Sequence, residues 1–187
     1  MSFMGNKSRA QRQGTGFSLI ELLIVIAIIL IIAAIAIPNL LRARIAADEA
    51  SSVRSIRTIN TAQATYVTGY PTTGYSATLA ALGPGGVGSV CPAGGPLVTN
   101  ACLLDSALSN ATAAANAKSG YIYGMGATAV AGVNTQYAVG SSPASFNITG
   151  VRDFCSQEDA VVRYDAGASG NTPVVTNAAC VAFTLLQ

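Results

Sequence analysis

The chain contains no histidine and no tryptophan. Without an imidazole there is no Ser–His–Asp relay and no His ligand for zinc, which removes a large share of hydrolases and zinc enzymes. Charge is scarce as well. Asp, Glu, Lys and Arg make up 10% of the 187 residues, against roughly 25% in an average soluble domain. A disordered chain needs much charge and little apolar content; here 51% of residues are hydrophobic. Three of the ten basic residues, Lys7, Arg9 and Arg12, precede residue 16, and no acid does. The remainder is close to neutral, so nucleic acid is not expected as a partner of the body through its charge. Past residue 16 the only lysine is Lys118, which leaves one candidate for a Ser/Lys pair. Its Lys-Ser-Gly setting reads as a turn entering a strand. The glycine-rich stretch 83–88 lacks the Gly-Lys-Ser/Thr ending of a phosphate cradle. No enzymatic activity and no resident cofactor are expected.

What the chain has in excess is one apolar run. Residues 22–37 read LLIVIAIILIIAAIAI, and counting back to Phe17 gives 21 residues. As a helix that is about 31 Å, the thickness of a bilayer's hydrocarbon core. The basic start should remain cytoplasmic and the C-terminal bulk should lie outside. An ordinary secretory signal has a shorter core of about 7–15 residues and a small-x-small cleavage site before a polar chain. Here the run flows into Pro38 and a further helical pattern. A plain single-span anchor is the other simple alternative.

One residue does not belong in such a run. Glu21 lies four positions after Phe17, and a carboxylate inside a membrane helix costs about 2.5–3.5 kcal/mol on insertion scales. It needs a partner that appears later. Cutting the chain after Gly16 would leave Phe17 with a free ammonium, and in a helical stack Glu21 of one copy could pair with that group on its neighbour.

At Gly16-Phe17-Ser18-Leu19-Ile20-Glu21-Leu22-Leu23 the sequence resembles the type IV pilin superfamily, whose signature is shared with the pseudopilins of type II secretion. The resemblance implies cleavage after Gly16 by a prepilin peptidase and N-methylation of Phe17. It also implies a kinked N-terminal helix with Pro38 at the joint, the alternative being a boundary between membrane helix and loop. The expected fold is α+β: a long N-terminal helix, membrane-spanning in its first half, packed on an antiparallel sheet. The expected divisions are a leader over 1–16, an apolar helix over 17–37, an amphipathic helical half over 38–68 and a globular head over 69–187.

In the second helical half, Leu41, Ile45, Val53, Ile56, Asn60, Ala64 and Val67 recur near steps of three and four, as suits a helix lying on a head. Asp48 and Glu49 break the stripe. These acids and Arg42, Arg44, Arg54 and Arg57 read either as a solvated face or as salt bridges between copies. Gly69 and Tyr70-Pro71 supply the stop. Beyond it, a helical turn is expected within Ser76–Leu82 and a short helix around Leu103–Ala111 with Asn100 as its N-cap. Strands are expected from Tyr121, over Thr135–Val139 with Phe146–Thr149 extending it or standing apart, over Val151–Cys155 and Ala160–Tyr164, and as a closing strand within Cys180–Leu186. Their short connections predict an antiparallel arrangement. YPTTGYSATLAALGP, KSGYIY and GVRDFCSQEDAVVRY look like pilin heads built on a minimal four-stranded sheet.

Four cysteines, 91, 102, 155 and 180, form no CxxC pair, so thioredoxin and zinc-ribbon readings are poor. In an exported head disulfides are the natural state. Three pairings exist; sequence proximity favours Cys91–Cys102 with Cys155–Cys180, and the resemblance implies a C-terminal disulfide-bounded loop. The acids Asp153, Glu158, Asp159 and Asp165 admit two readings, a solvated turn or a calcium site of the kind the resemblance to major pseudopilins implies. Asn110-Ala-Thr112 and Asn147-Ile-Thr149 are acceptor sequons that need a matching transferase.

The expected function is structural: the major subunit of a type IV pilus, or alternatively the major pseudopilin of a type II secretion system. Expected partners are copies of itself in a helical filament, a prepilin peptidase, and indirectly an inner-membrane platform with its motor ATPase. The expected course is a single-pass inner-membrane precursor, then a surface pilus.

Overall fold

The computed structural model describes residues 17–86, 88–170 and 172–186. The leader expected over 1–16, Gly16 included, lies outside the described residues. The chain divides into two compact units, Met1–Leu40 and Leu41–Gln187, two residues after Pro38. Helix α1, Leu19–Gly69, contributes its first stretch to one unit and its second to the other.

In the first unit the helix is apolar all round, with a mean hydropathy of 3.3 over its best 18-residue window and none of that window buried. It is long and apolar enough to cross a membrane. Pro38 sits inside the helix rather than ending it. Proline carries no N–H, so one carbonyl of the preceding turn loses its usual donor. The Asn39 side-chain amide donates to the Ile35 carbonyl, 3.1 Å away.

The second unit is helix on sheet. Its sheet has five strands in the order of the chain, all neighbours antiparallel: β1 (Tyr121–Val130), β2 (Val133–Pro143), β3 (Asp153–Gln157), β4 (Arg163–Asp165) and β5 (Thr184–Leu185). The count is five where the resemblance implied four. The long hairpin β1–β2 turns at Ala131-Gly132, both with positive φ, 51° and 85°. Two such residues match the right-handed twist of the strands they join. Ala131 bears the strain of that geometry because Gly132 supplies only half of it.

Tyr121, Tyr123, Tyr137, Val139 and Phe154 point to one face and build the core with Ile56, Ile59 and Tyr66 of α1. Loop residues complete it. The four-residue helix α2 (Leu79–Leu82) is capped by Thr78, and α3 (Ser106–Ser109) by Asp105, whose carboxylate accepts from the Leu108 N–H at 2.6 Å. Asp105, not Asn100, is therefore the cap. Asn100 makes a bridge with Leu97 and donates its amide to the Pro84 carbonyl. Phe146–Thr149 is a turn beside an isolated Phe146–Gly150 bridge, not a strand. Within Cys180–Leu186 only Thr184–Leu185 pair as β5; Cys180 belongs to a short helix, α4 (Asn177–Val181).

The sheet's other face is covered by the chain leading into α4. Val174 and Val175 lie so close to Gly140 and Gly126 that a Cβ on either glycine would meet their backbone. The bare glycine backbone is what lets this segment lie flat on the sheet, and it leaves β2 buried on both faces from Tyr137 onward.

Candidate assembly surface

Ser18 is the N-cap of α1 and Glu21 stands three residues inside, the S-x-x-E spacing of a capping box. The Ser18 N–H donates to the Glu21 carboxylate at 2.9 Å. This half of the box satisfies one of the free amides at the helix start, and the acid suits the positive end of the helix dipole. Glu21 thus has a partner within its own subunit. Phe17 is 85% exposed, and the large apolar side chains from Leu19 to Leu41 are each at least 48% exposed. Among the described residues nothing in the first unit shelters them, so this surface suits lipid or other apolar helices.

In the second unit the buried face of α1 is largely polar: Glu49, Ser52, Ser55, Asn60 and Gln63 are buried alongside Ile56, Ile59, Ala62 and Tyr66. Glu49, 6% exposed, accepts from the Val151 and Arg152 N–H groups at 3.1 and 3.2 Å. It also takes a fork from Arg152, Nε at 2.8 Å and Nη2 at 2.6 Å. Arg152 in turn lies over the rings of Phe154 and Tyr164 at 5.6 and 5.5 Å, a geometry that suits a planar cation. Further along, Ser52 and Ser141 share a hydroxyl bond at 2.7 Å. Asn60 donates to Ser156 and accepts from the Tyr137 hydroxyl, both at 2.9 Å. The Gln63 amide exchanges two bonds with the backbone of Ser76. Burial pushes the Tyr137 and Tyr121 hydroxyls well above the usual phenol range, so both remain donors.

This seam corrects the reading of the second helical half. Glu49 belongs neither to a solvated face nor to a bridge between copies; it is fastened inside its own subunit. Ala64 and Leu41, expected on the buried stripe, are exposed. The signal that was missed is the spacing 49, 52, 56, 59/60, 63, 66, which has helical period but mixes polar with apolar residues.

Cys91 is bonded to Cys102, and Cys155 to Cys180. The second disulfide is fully buried and ties β3 to α4. The four acids weighed for calcium do not converge. Asp153 and Asp165 face each other across β3 and β4. Glu158 accepts from the Asn177 amide at 2.6 Å, while Asp159 pairs with Arg163. That hydrogen bond holds the Asp159 carboxyl below the usual carboxylate range and raises Arg163. Among the described residues no group of three or more His, Cys, Asp or Glu is placed to hold a metal.

Residues 12–37 match the family model of the prokaryotic N-terminal methylation motif. The chain carries a prepilin-type N-terminus. No match was found among curated proteins or among solved structures. The matched motif belongs to pilin- and pseudopilin-like proteins that are processed by a prepilin peptidase and assemble into a pilus or pseudopilus. These are structural proteins. The apolar helix fits an inner-membrane-anchored precursor, and the α+β architecture is consistent with the type IV pilin fold.

Proposed function

We propose that this prepilin-type chain is the major subunit of a type IV pilus, cut between Gly16 and Phe17, N-methylated on Phe17 and polymerised into a surface filament. The observation that carries the proposal is the exposed apolar helix with a single acid, Glu21, at its start. In lipid each helix already has apolar neighbours, so leaving the bilayer for a fibre gains little from hydrophobicity, and specificity must come from packing and polar groups. Glu21 fills that role by exchanging its own capped amide for the Phe17 ammonium of an adjacent copy. Pro38 weakens the helix just past the apolar stretch, where the buried fibre core gives way to the head. Two disulfides suit a head exposed outside the reducing cytoplasm.

The alternative, a type II secretion pseudopilin, shares the same processing and differs in where the fibre ends up. Shearing cells and reading the N-terminus of the released protein by mass spectrometry separates the readings. Abundant sheared fibre that starts at methylated Phe17 is expected. Processed protein confined to the cell envelope would make it a pseudopilin, and an intact leader would overturn both.

A further inference from the structure

The second unit carries its charge unevenly on its two faces. The helix side holds Arg42, Arg44, Arg54 and Arg57, of which only Arg44 has an acid, Asp48, in the same subunit. Among the described residues Arg42, Arg54 and Arg57 make no ion pair, and all three are exposed. Glu49 and Arg152 cancel each other beneath them. Beside Arg54 and Arg57 lies a recess of about 310 Å³ floored by Ala50, Val53, Phe154 and Leu186.

The far side of the sheet is the reverse. Phe154 and Ser156 point to the helix, the latter bonded to Asn60. By strand alternation Asp153, Cys155 and Gln157 therefore face away, as the bond to Cys180 on that side requires. Cross-strand register puts Asp165 and Arg163 on the same outer face. That face and its β3–β4 turn present Glu158, Asp159 and Asp165 with one cation, Arg163, which is already paired to Asp159. Glu158 and Asp165 are exposed and have no ion pair among the described residues.

Resting on the filament reading above, we infer that the Arg54/Arg57 surface of one copy docks against the Glu158/Asp165 surface of a second copy. A head-to-tail contact joins unlike faces and leaves each new copy with a free face of either sign. Such an interface propagates instead of closing. Complementary charge of this kind selects register and rejects wrong pairings.

The test uses the full chain expressed with its processing and assembly machinery, with sheared fibre as the readout. Arg54→Glu with Arg57→Glu should lower fibre yield by about tenfold or more, and so should Glu158→Lys with Asp165→Lys. Combining all four should restore most of it. Because both arginines are exposed, the oxidised subunit should accumulate in membranes to wild-type levels. Arg54→Gln with Arg57→Gln, which introduces no new charge, should lower the yield less than the reversal does. Undiminished fibre from either reversal, or no recovery in the combination, overturns the inference while leaving the filament reading standing. Wild-type protein that is processed yet forms no fibre overturns both.

Discussion

The two stretches of α1 solve the same problem in opposite ways. Up to Leu40 the helix is apolar on every side, and apart from Glu21 and Asn39 its large side chains are aliphatic. From Leu41 onward it buries an acid, two serines, an asparagine and a glutamine. An all-round apolar surface is compatible with many neighbours, lipid included, and fixes neither register nor orientation. A buried polar row is compatible with one docking only, because each group shifted from its partner would be left unmade at about 1–3 kcal/mol. In the proposed fibre the first stretch leaves its specificity to the single carboxylate of Glu21, whereas the second carries its specificity within the subunit.

The largest effect that can test this contrast is at Glu21. Glu21→Ala should leave membrane insertion intact, since it removes a charge from an apolar helix, yet abolish or nearly abolish fibre. Normal fibre yield from the variant would mean that the apolar stretch finds its register by shape alone. Next comes the covalent tie on the far face of the sheet. Replacing Cys155 and Cys180 with serine frees a loop of about 26 residues and should cost about 3–4 kcal/mol in the chain-entropy treatment, measured by denaturant unfolding of the full chain in detergent. Third is the polar seam. Glu49→Ala leaves two backbone amides and the Arg152 fork without their acceptor. Removing one partner of a buried pair costs about 3–5 kcal/mol, and the partial exposure of Arg152 places this case near about 3. A loss well under 1 kcal/mol would mean that the apolar residues alone hold the helix to the sheet.

How legible each part was follows from what kind of signal it leaves. The apolar run, Glu21 and Pro38 are visible in the bare sequence because each is a local feature that needs no distant partner to be read. Strands β1 to β4 were visible in outline, since Tyr, Val and Phe alternate there. The seam was not, because a search for an apolar stripe ranks Ala64 above Gln63 and treats Glu49 as an interruption. Only the positions of Ser141, Ser156 and Val151–Arg152, 89 to 103 residues downstream, reveal that the polar residues have partners. The Ala131-Gly132 turn was missed for a related reason: Ala rarely adopts positive φ, so the pair does not announce a two-residue hairpin as Asn-Gly would. The segment over Gly126 and Gly140 was illegible too, because glycine in a strand reads as weakness until the chain crossing it is known.

The smallest effect is pH dependence, and it belongs to the second unit alone. Burial pushes the Asp105 carboxyl up, but its bonds from Lys118 and the Leu108 amide outweigh that and hold it below its ordinary value. Asp159 is held low first by Arg163, against some burial. For an acid whose folded value is depressed, the unfolded chain binds more protons through the titration range, so stability rises with pH there. Above about pH 4, the ordinary unfolded carboxylate value, the contribution of both acids is fully present. It fades as pH falls through their lower folded values. Both acids are partly exposed, so solvent screens the gain and the slope should be shallow. Unfolding midpoints of the full chain followed from pH 6 down to pH 2 should therefore stay level and then fall below about pH 4. Asp159→Asn should flatten part of that fall while leaving the neutral-pH midpoint only slightly lower. An unchanged fall in the variant would mean that the Asp159–Arg163 pair does not carry the acid sensitivity and would leave Asp105 as its source.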